Sequence, residues 1–539
     1  MRKTMKTRIL SADTVFESDT TYIADRKQYD FYPSDDNEEI HCWWTCLNSS
    51  GAPLRAVFVL RDLHDVTIDL GGAILMLHGR MLPFAVSGCK NITFRNFSID
   101  YDRPFYTEGR ILASAPGSIT IQIPPSFPYR IEGHDFIAVG ETWEHRLIKG
   151  DMLFTSIDPE NGRRSCGIFL GLIGDEIHPR PNPPAPIHQV LAEDLGDGRV
   201  RFTNIPDYFR PQIGHILVMT HEDRRKPGFL LERNTDTVIE HVRLLHIGGM
   251  GLVANLCHNI TANYFSMYPE EGSDRHITIN ADGFHTFHST GLIKIENCRF
   301  ENLLDDAINI HGNYLVCMEQ NDAKSLTVKG PAAALLDMDY VLPGDEVFIY
   351  RQNTQEIRAV GTVERAAYLP GEMKILRLTF KEPLSAEIEP GDILENRRMP
   401  EIEIRGCRIN CGAGVRISTG KRALIEDCSF ETFGFSVLFS GDMNYWYENT
   451  GVRDVTIRNC IFDRCGCPVK TECGFQPTEN APFYHENIRF IGNTVIAPVE
   501  AAMVFDRVNH VEMAGNRITG LRDGQLPVIL RNCSHVSVE

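Results

Sequence analysis

The sequence predicts an all-β protein: a right-handed parallel β-helix (a solenoid) with two inserted antiparallel β-barrel-like modules. The first observation is a nine-residue template that recurs along the chain, in which apolar residues alternate around a small or polar middle residue. The second is the spacing of the copies, which follow one another at steps of 21 to 33 residues wherever the series is uninterrupted. Periods of about 20–50 residues indicate a solenoid, a propeller or an array. The third is a pair of long gaps in the series.

Each copy of the template is predicted to be two short strands joined by a bend, because apolar residues recur at period two on either side of the middle position. In DVTIRNCIF we expect Val455 and Ile457 to point inward, Asn459 to turn the corner, and Cys460 and Phe462 to point inward on the next strand. Coils stacked about 4.8 Å apart bury such a row. Several copies have cysteine at the same template position, called the cysteine slot here, which predicts a stack of buried free thiols rather than a zinc site. The members of this slot are Cys298, Cys407, Cys428, Cys460 and Cys533.

The two gaps divide the chain into five parts. Residues 1–100 are predicted to form an N-terminal cap and the first coils, 237–312 the middle coils with the active site, and 402–539 the C-terminal coils. The gaps, 101–236 and 313–401, are too long for coils. Each carries Gly-Asp or Gly-His followed shortly by apolar residues, and each ends in a similar string before the helix resumes. They are therefore predicted to be related antiparallel β-barrel-like inserts.

Composition and charge exclude several function classes. The chain of 539 residues has 54 Lys and Arg against 72 Asp and Glu, a net charge of −18. So acidic a chain is poorly suited to neutralising nucleic-acid phosphates or to adhering to an anionic membrane, and we expect neither partner. Dinucleotide and P-loop motifs are absent, and no spacing is typical of a metal site. We therefore expect no cofactor and no metal.

The N-terminus starts with basic residues but lacks the apolar segment that follows them in a signal peptide. If the sequence is complete, we expect a cytoplasmic protein; if it was trimmed, we expect a secreted or periplasmic one. A β-helix with exposed ends often associates, so a homo-oligomer is a further expectation.

Three carboxylates lie within about one coil of one another. Asp282 and Asp306 are 24 residues apart, and at that offset Phe284 falls on Ile308. We therefore expect Asp282 and Asp306 to stack about 5 Å apart on neighbouring coils, with Asp305 pointing elsewhere. Like charges this close raise at least one pKa and retain a proton, and glycoside hydrolysis needs one carboxylic acid and one carboxylate. Spacing alone leaves two alternatives, a calcium site and a solvated acidic bend.

Three segments resemble signature strings of glycoside hydrolase family 110: ADGFH (281–285), DDAINIHG (305–312) and SGDMNYWYE (440–448). Members of that family are exo-acting α-1,3-galactosidases on a β-helix with barrel-like inserts. The resemblance implies an inverting hydrolase that releases terminal α-1,3-linked galactose from blood-group-B or linear Galα1-3Gal glycans. The expected partner is a galactose-terminated oligosaccharide or glycoconjugate.

Asp282, Asp305 and Asp306 are the expected catalytic residues. We expect Asp282 and Asp306 to form a shared base that holds the attacking water, and Asp305 to be the acid. The predicted substrate-binding residues lie on the outer wall beside this trio or on a later coil, where a Trp ring suits the apolar face of galactose; they are His285, Asn309, His311, Trp446 and Glu448.

Rival hypotheses remain. A polygalacturonase-like enzyme of glycoside hydrolase family 28 has the same fold, and its Asn-x-Asp-Gly followed by Asp-Asp resembles 280–283 and 305–306. That family's Gly-His-Gly string is missing, and the acidic chain disfavours a polyuronate. A polysaccharide lyase needs a Lys or Arg base that the cluster lacks. The non-enzymatic alternative is a β-helix adhesin or carbohydrate-binding protein.

Overall fold

The computed structural model describes residues 5–40, 54–147, 153–160, 162, 164–169, 190–221, 226–330, 338–352, 354–372, 374–443, 446–474 and 481–539. All regular secondary structure in these ranges is β-strand. Over the same part of the chain, no helix is long and apolar enough to span a membrane.

Three parallel sheets form the walls of the helix, because each coil places one strand in each wall it reaches. The first wall runs almost the whole length of the chain. Its strands are Lys6–Ile9, Thr20–Ile23, Gln28–Phe31, His64–Leu77, Lys90–Tyr101, Thr235–Leu244, His258–Asn263, Thr290–Glu296, Glu401–Arg405, Arg422–Glu426, Asp454–Arg458, His485–Ile491, Val508–Ala514 and Ser534–Val538.

The second wall carries the candidate site, and the third is shorter. The parallel strands of the second wall are Leu54–Arg61, Leu82–Ser87, Phe229–Glu232, Leu252–Asn255, Phe284–Phe287, Asp306–Asp322, Ala413–Ile417, Phe435–Asp442, Cys467–Gly474, Met503–Asp506 and Val528–Arg531. Two short strands pair with this wall in the antiparallel sense, Glu38–Ile40 and Glu448–Asn449. The third wall consists of Arg299–Glu301, Arg408–Asn410, Ser429–Phe430, Ile461–Asp463, Thr494–Ile496 and Arg517–Thr519.

The core lies between the walls, as the template predicts. Val455, Ile457, Cys460 and Phe462 are all buried and belong to the main apolar cluster. Asn459 has a φ of 55°, in the left-handed region that turns the chain at a bend. The described cysteines are free thiols, and the four slot cysteines of the central coils are buried. The predicted inward rows are confirmed, and so is the thiol stack for these four cysteines. The prediction was wrong for Cys533, which is half-buried and precedes its first-wall strand, Ser534–Val538, whereas the other four follow theirs.

The two inserts consist of antiparallel strands. The first has a seven-stranded sheet and a three-stranded sheet. Its strands are Tyr106–Ala115, Ser118–Gln122, Tyr129–Glu132, Asp135–Val139, Glu144–Arg146, Leu153–Ile157, Arg164–Phe169, Leu191–Asp194, Arg199–Thr203 and Ile216–Thr220. The second is a closed six-stranded barrel, since its pairings return to the strand on which they start. Its strands are the end of Asp306–Asp322 and Ser325–Lys329, Glu346–Tyr350, Ile357–Tyr368, Ile375–Phe380 and Ile393–Asn396.

The strands cross two of the expected insert boundaries. Coils resume already at Phe229–Glu232, which pairs in parallel with Leu82–Ser87, whereas the sequence placed this change at residue 237. Asp306–Asp322 begins in the second wall and ends in the barrel, so it runs through the boundary expected at residue 312. A single strand therefore joins the β-helix to the second insert next to the acidic cluster.

Candidate active site

Two neighbouring strands of the second wall place the carboxylates together. Phe284–Phe287 pairs in parallel with Asp306–Asp322, and Phe284 lies opposite Ile308. The predicted offset of 24 residues is confirmed. At the bend just before these strands, the Gly283 amide donates to the Asp306 carbonyl at 2.9 Å. A Cβ at Gly283 would lie 2.7 Å from the Ala307 carbonyl oxygen, so only glycine allows this close approach of the coils.

The next elements add a cation and a further carboxylate. On the following coil, Arg416 lies opposite Asn309 of the strand Asp306–Asp322, called the long strand below. The strand Glu448–Asn449 pairs antiparallel with the same long strand, and Glu448 lies opposite Asn313. Residues from several coils and from a loop therefore face one another on the outside of the second wall.

The carboxylates of the trio differ in environment. Asp282 is 2% exposed and Asp306 is 6% exposed, whereas Asp305 is half-buried. The Asp306 amide donates to Asp305 Oδ1 at 3.1 Å. Arg416 Nε lies 3.4 Å from Asp306 Oδ2. A cation at this distance favours the charged form of Asp306.

Two histidines link Asp282 to the long strand. His285 Nδ1 lies 2.5 Å from Asp282 Oδ2, and His285 Nε2 lies 2.9 Å from His311 Nε2. The other ring nitrogen of His311 donates to the Gly312 carbonyl at 2.7 Å. The Phe287 ring packs against both imidazoles, with centroids 4.5 and 4.8 Å away. The result is a continuous buried chain of hydrogen bonds that ends at a catalytic candidate.

Glu448 is a buried carboxylate with partners on three sides. Arg416 Nη1 donates to its Oε2 at 3.0 Å, Asn309 Nδ2 donates to its Oε1 at 3.3 Å, and His311 Nε2 lies 3.6 Å from the same oxygen. Burial alone would raise the pKa of Glu448, but His311 and Arg416 lower it to about 2. Burial also lowers the pKa of His311, to about 4. Because His311 is then neutral near pH 7, the Arg416 charge keeps Glu448 ionised there.

The structure brings the predicted substrate-binding residues together, but it buries their side chains more deeply than a sugar-binding surface requires. His285, Asn309, His311 and Glu448 are buried. Trp446 is half-buried and packs on the apolar cluster between the wall and the second insert, and its carbonyl accepts from the Asn313 side chain at 3.4 Å. Residues 444–445 of the SGDMNYWYE segment lie outside the described residues.

From the sequence, Arg416 was left open between lining the groove and forming a structural ion pair, and it was not included among the expected site residues. Its side chain contacts both Asp306 and Glu448, and these charges raise its pKa against the effect of burial. The indication in the sequence is that Arg416 lies in GVRIST (414–419), one coil beyond the strand Asp306–Asp322. Asn313 was also not selected. Its Oδ1, like that of Asn309, is buried without a hydrogen-bond partner.

Among the described residues, two groups have His and carboxylate atoms close enough to hold a metal ion. They are Asp19, His64 and Asp65, and His78, Asp102 and Glu141. Neither group includes a residue of the carboxylate trio. In the second group both ring nitrogens of His78 already contact carboxylates, Asp30 at 2.9 Å and Glu141 at 2.8 Å.

Comparison with known proteins agrees with this architecture. Residues 107–217 match the family model of GLAA-B beta-barrel domain I, and residues 390–518 match that of a right-handed beta helix region. Among solved structures, the mannuronan C-5 epimerase A-module of Azotobacter vinelandii aligns over 96% of this chain and 90% of its own, at 9% identity and a TM-score of 0.33. The family 28 exopolygalacturonase of Yersinia enterocolitica aligns over 89% and 70%, at 10% identity and a TM-score of 0.31. Likenesses this low support no inference about the reaction.

Curated relatives match over most of the chain. Alpha-1,3-galactosidase B of Bacteroides thetaiotaomicron is 31% identical over 82% of this chain and 71% of its own length. Alpha-1,3-galactosidase A of Shewanella woodyi is 25% identical over 93% and 80%. Alpha-1,3-galactosidase B of Phocaeicola vulgatus is 30% identical over 82% and 72%.

These matches and the fold place the chain in the class of β-helix glycoside hydrolases. Within that class, the chain belongs to the family of α-1,3-galactosidases A and B, which is the glycoside hydrolase family 110 that its acidic motifs resemble.

Proposed function

We propose that this protein is an exo-acting, inverting α-1,3-galactosidase that releases terminal galactose from blood-group-B or linear Galα1-3Gal glycans. The observation that carries the proposal is the stacking of Asp282 on Asp306, with Asp305 beside them, in a chain whose relatives are named α-1,3-galactosidases. Inverting hydrolysis needs one carboxylic acid and one carboxylate on opposite sides of the scissile bond. The unequal environments of the three carboxylates support such a division.

Asp306 is suited to be the base that activates water. Its contact with Arg416 stabilises the carboxylate form, which is the form that accepts a proton from the attacking water. Asp305 Oδ1 accepts the Asp306 amide at 3.1 Å, a contact that orients its carboxyl group. Asp305, the half-buried member of the trio, is the proposed acid that protonates the departing oxygen.

Recognition of galactose needs polar groups that are oriented and not already satisfied. The Oδ1 atoms of Asn309 and Asn313 are buried without hydrogen-bond partners. Sugar hydroxyls that donate to them, once these side chains turn toward the substrate, would remove a desolvation cost. The ionised Glu448 is a further acceptor. Trp446 offers an aromatic surface at the edge of this group.

Exo action, the removal of a terminal sugar, is supported by the strands that border the site on one side. The strand Asp306–Asp322 leaves the wall to enter the closed barrel, and Glu448–Asn449 pairs across it at Gly312 and Asn313. Along the strand Asp306–Asp322, the second insert and the strand Glu448–Asn449 therefore cover the wall just beyond the carboxylates. A site closed on one side accepts the end of a glycan chain rather than its middle.

The test is hydrolysis of a panel of oligosaccharides by the full chain. We expect galactose from Galα1-3Gal and from the fucosylated blood-group-B trisaccharide, and none from Galα1-4Gal, from Galα1-6Glc or from polygalacturonate. Asp305→Asn should lose activity, whereas Asp463→Asn, which alters an exposed ion pair with Arg464, should retain it. Release of uronate would favour the polygalacturonase hypothesis. Binding without any hydrolysis would favour the carbohydrate-binding hypothesis.

A further inference from the structure

Two aromatic side chains occupy a bend of the β-helix at which the adjoining coils have asparagine. The strand registers place His241 next to Asn96 and Tyr264 next to His241, and Asn297 follows on the next coil. All four residues have φ between 51° and 59°. Asparagine adopts this left-handed conformation readily, whereas tyrosine seldom does. The backbone therefore does not by itself favour Tyr264 at this position.

His241 and Tyr264 stack on each other at the surface. Their ring centroids are 4.7 Å apart, and the ring planes differ by 11°. Tyr264 is 47% exposed, and His241 is also exposed. His510 and His535 form a similar stack near the C-terminus, with centroids 4.5 Å apart, so stacking alone does not indicate a ligand. The additional feature at His241 is a groove.

This groove, of about 480 Å³, lies beside His241 on the outside of the first wall. Its volume falls within the range of small-molecule sites, about 300–1,000 Å³. The groove crosses three successive coils, so it spans about two coil steps, or roughly 10 Å. Its lining includes Gly71, Gly72, Asn96, Ser98, His241 and Arg243.

Two glycines keep one side of the groove free of side chains. The first-wall strand that contains Gly71 and Gly72 has a bulge there, with two more residues than its neighbour. The two glycines have φ of 57° and 95°, and a Cβ at either would meet no atom within 4 Å. The imidazole of His241 lines the opposite side. A flat ring in the groove can therefore contact that imidazole without meeting a side chain from the bulge.

Polar groups line the floor and one edge of the groove. Asn96 Nδ2 donates to Asp69 Oδ1 at 2.9 Å, which fixes the Asn96 amide, and Ser98 contributes a hydroxyl. The Arg243 guanidinium lies 3.8 Å from the centre of the Tyr268 ring and donates to the Tyr268 carbonyl at 3.1 Å. Because these contacts already engage the guanidinium, the groove does not present a free cation to an anionic ligand.

We propose that this groove binds one pyranose ring of a neutral glycan. The apolar face of the sugar packs on the exposed pair of His241 and Tyr264, and sugar hydroxyls bind the polar groups of the floor and edge. The groove lies on the first wall, whereas Asp282 precedes a second-wall strand, so it is separate from the candidate active site. The inference goes beyond the proposed function and does not depend on which glycosidic bond the protein cleaves.

Two separate sugar sites on one chain increase its retention on a surface that displays many glycans. Tyr264 and Asp282 belong to the same coil, because the chain passes from the strand His258–Asn263 to the strand Phe284–Phe287. The two sites therefore lie at a similar height on different walls. A glycan bound in the groove raises the effective concentration of neighbouring glycans at the active site. The groove is expected to matter for a mucin and not for a disaccharide.

The first test detects sugar binding at the groove without hydrolysis. The full chain, labelled with 13C in its histidine rings, is titrated with lactose, a neutral disaccharide without an α-1,3 bond. The signals are assigned with His241→Asn and His510→Asn. We expect lactose to shift the His241 signal in a saturable manner and to leave the His510 signal unchanged. No shift at His241, equal shifts at both histidines, or a shift with galacturonate but not with lactose would overturn the proposal. The signals of His285 and His311 report the active site separately in the same spectra.

The second test uses variants that restore the asparagine of the neighbouring coils. His241→Asn and Tyr264→Asn should keep the fold, because asparagine suits a positive φ, and the melting temperature checks this. On immobilised mucin we expect each variant to lose at least about tenfold in retention, because a second linked contact commonly raises avidity by about 10²-fold or more. The ratio of turnover on mucin to turnover on Galα1-3Gal should fall as well.

His510→Asn is the matched control, because it removes a similar aromatic stack in the same backbone conformation. It should leave retention on mucin unchanged. Equal losses in all three variants would show that both stacks are structural, and undiminished retention of His241→Asn and Tyr264→Asn would contradict sugar binding. Equal retention of the wild type on mucin and on its deglycosylated protein core would mean that the chain binds the core, which also overturns the proposal.

Discussion

Glu448 gives a direct measure of how strongly the buried charges of the site are coupled to the fold. Glu448→Gln keeps the size of the side chain but removes the negative charge that faces Arg416 at 3.0 Å. Arg416 then keeps its contact with Asp306, at 3.4 Å, and the weaker attraction of Asp282. We expect the variant to be destabilised at neutral pH, because a buried cation that loses a partner keeps its desolvation cost.

The magnitude follows from the pKa of Glu448. It lies at about 2 in the folded protein against 4.5 for the unperturbed side chain, and each pKa unit corresponds to about 1.36 kcal/mol. The whole shift corresponds to about 3 kcal/mol of unfolding free energy. This is an upper bound at pH 7, because part of the shift comes from the charge of His311, which is neutral there. Since the folded pKa is the lower one, this contribution is present above about pH 4.5 and is lost as the pH falls toward 2.

The assay is urea unfolding of the wild type and of Glu448→Gln at pH 7 and again at pH 3. We expect a difference of between about 1 and 3 kcal/mol at pH 7 that shrinks at pH 3. Asp454→Asn is the control, because it breaks a partly exposed ion pair with Arg489 and should cost less than about 1 kcal/mol. Equal stability of Glu448→Gln and wild type at pH 7, or a difference that persists unchanged at pH 3, would refute the reasoning.

Asp306, the expected lack of a metal requirement and the buried thiols can each be tested separately. Asp306→Asn should lower kcat by about 10²–10⁴-fold, and azide should restore turnover to Asp306→Gly as β-galactosyl azide. Failure of that rescue would remove Asp306 as the base. Dialysis against a chelator should leave the hydrolysis rate unchanged, and a loss reversed by a divalent cation would contradict the expectation of a metal-free reaction. Burial raises the pKa of Cys257 to about 12, so a thiol reagent at pH 8 should label it only after unfolding, and rapid labelling of the native protein would show that the core opens.

The parts of the fold that were predictable from the sequence are those that repeat. The alternation in DVTIRNCIF assigned Val455 and Phe462 to the core, because a strand pointing the wrong way would expose an apolar row. The same periodicity set Phe284 opposite Ile308 and so stacked Asp282 on Asp306. Register in a solenoid is set by local pattern, which is present in the sequence.

The rest of the site depends on contacts that do not repeat. His285 lies opposite Asn309 in the sheet, yet its ring reaches the diagonal neighbour His311, and nothing in the spacing indicates that choice. Glu448 enters from a loop and pairs antiparallel with the strand that leads into the barrel. Glu448 meets Arg416 from a short antiparallel strand that is not part of the coil repeat, so sequence periodicity does not predict their contact.

Proton NMR of the full chain acting on Galα1-3Gal tests the central claim most directly, because it reports both the bond cleaved and the configuration of the released sugar. We expect β-galactose to appear first and its α-anomer to form only by mutarotation. The first appearance of α-galactose would contradict the inverting mechanism and the roles given to Asp282 and Asp306. Absence of any galactose would contradict the proposed α-1,3-galactosidase activity itself.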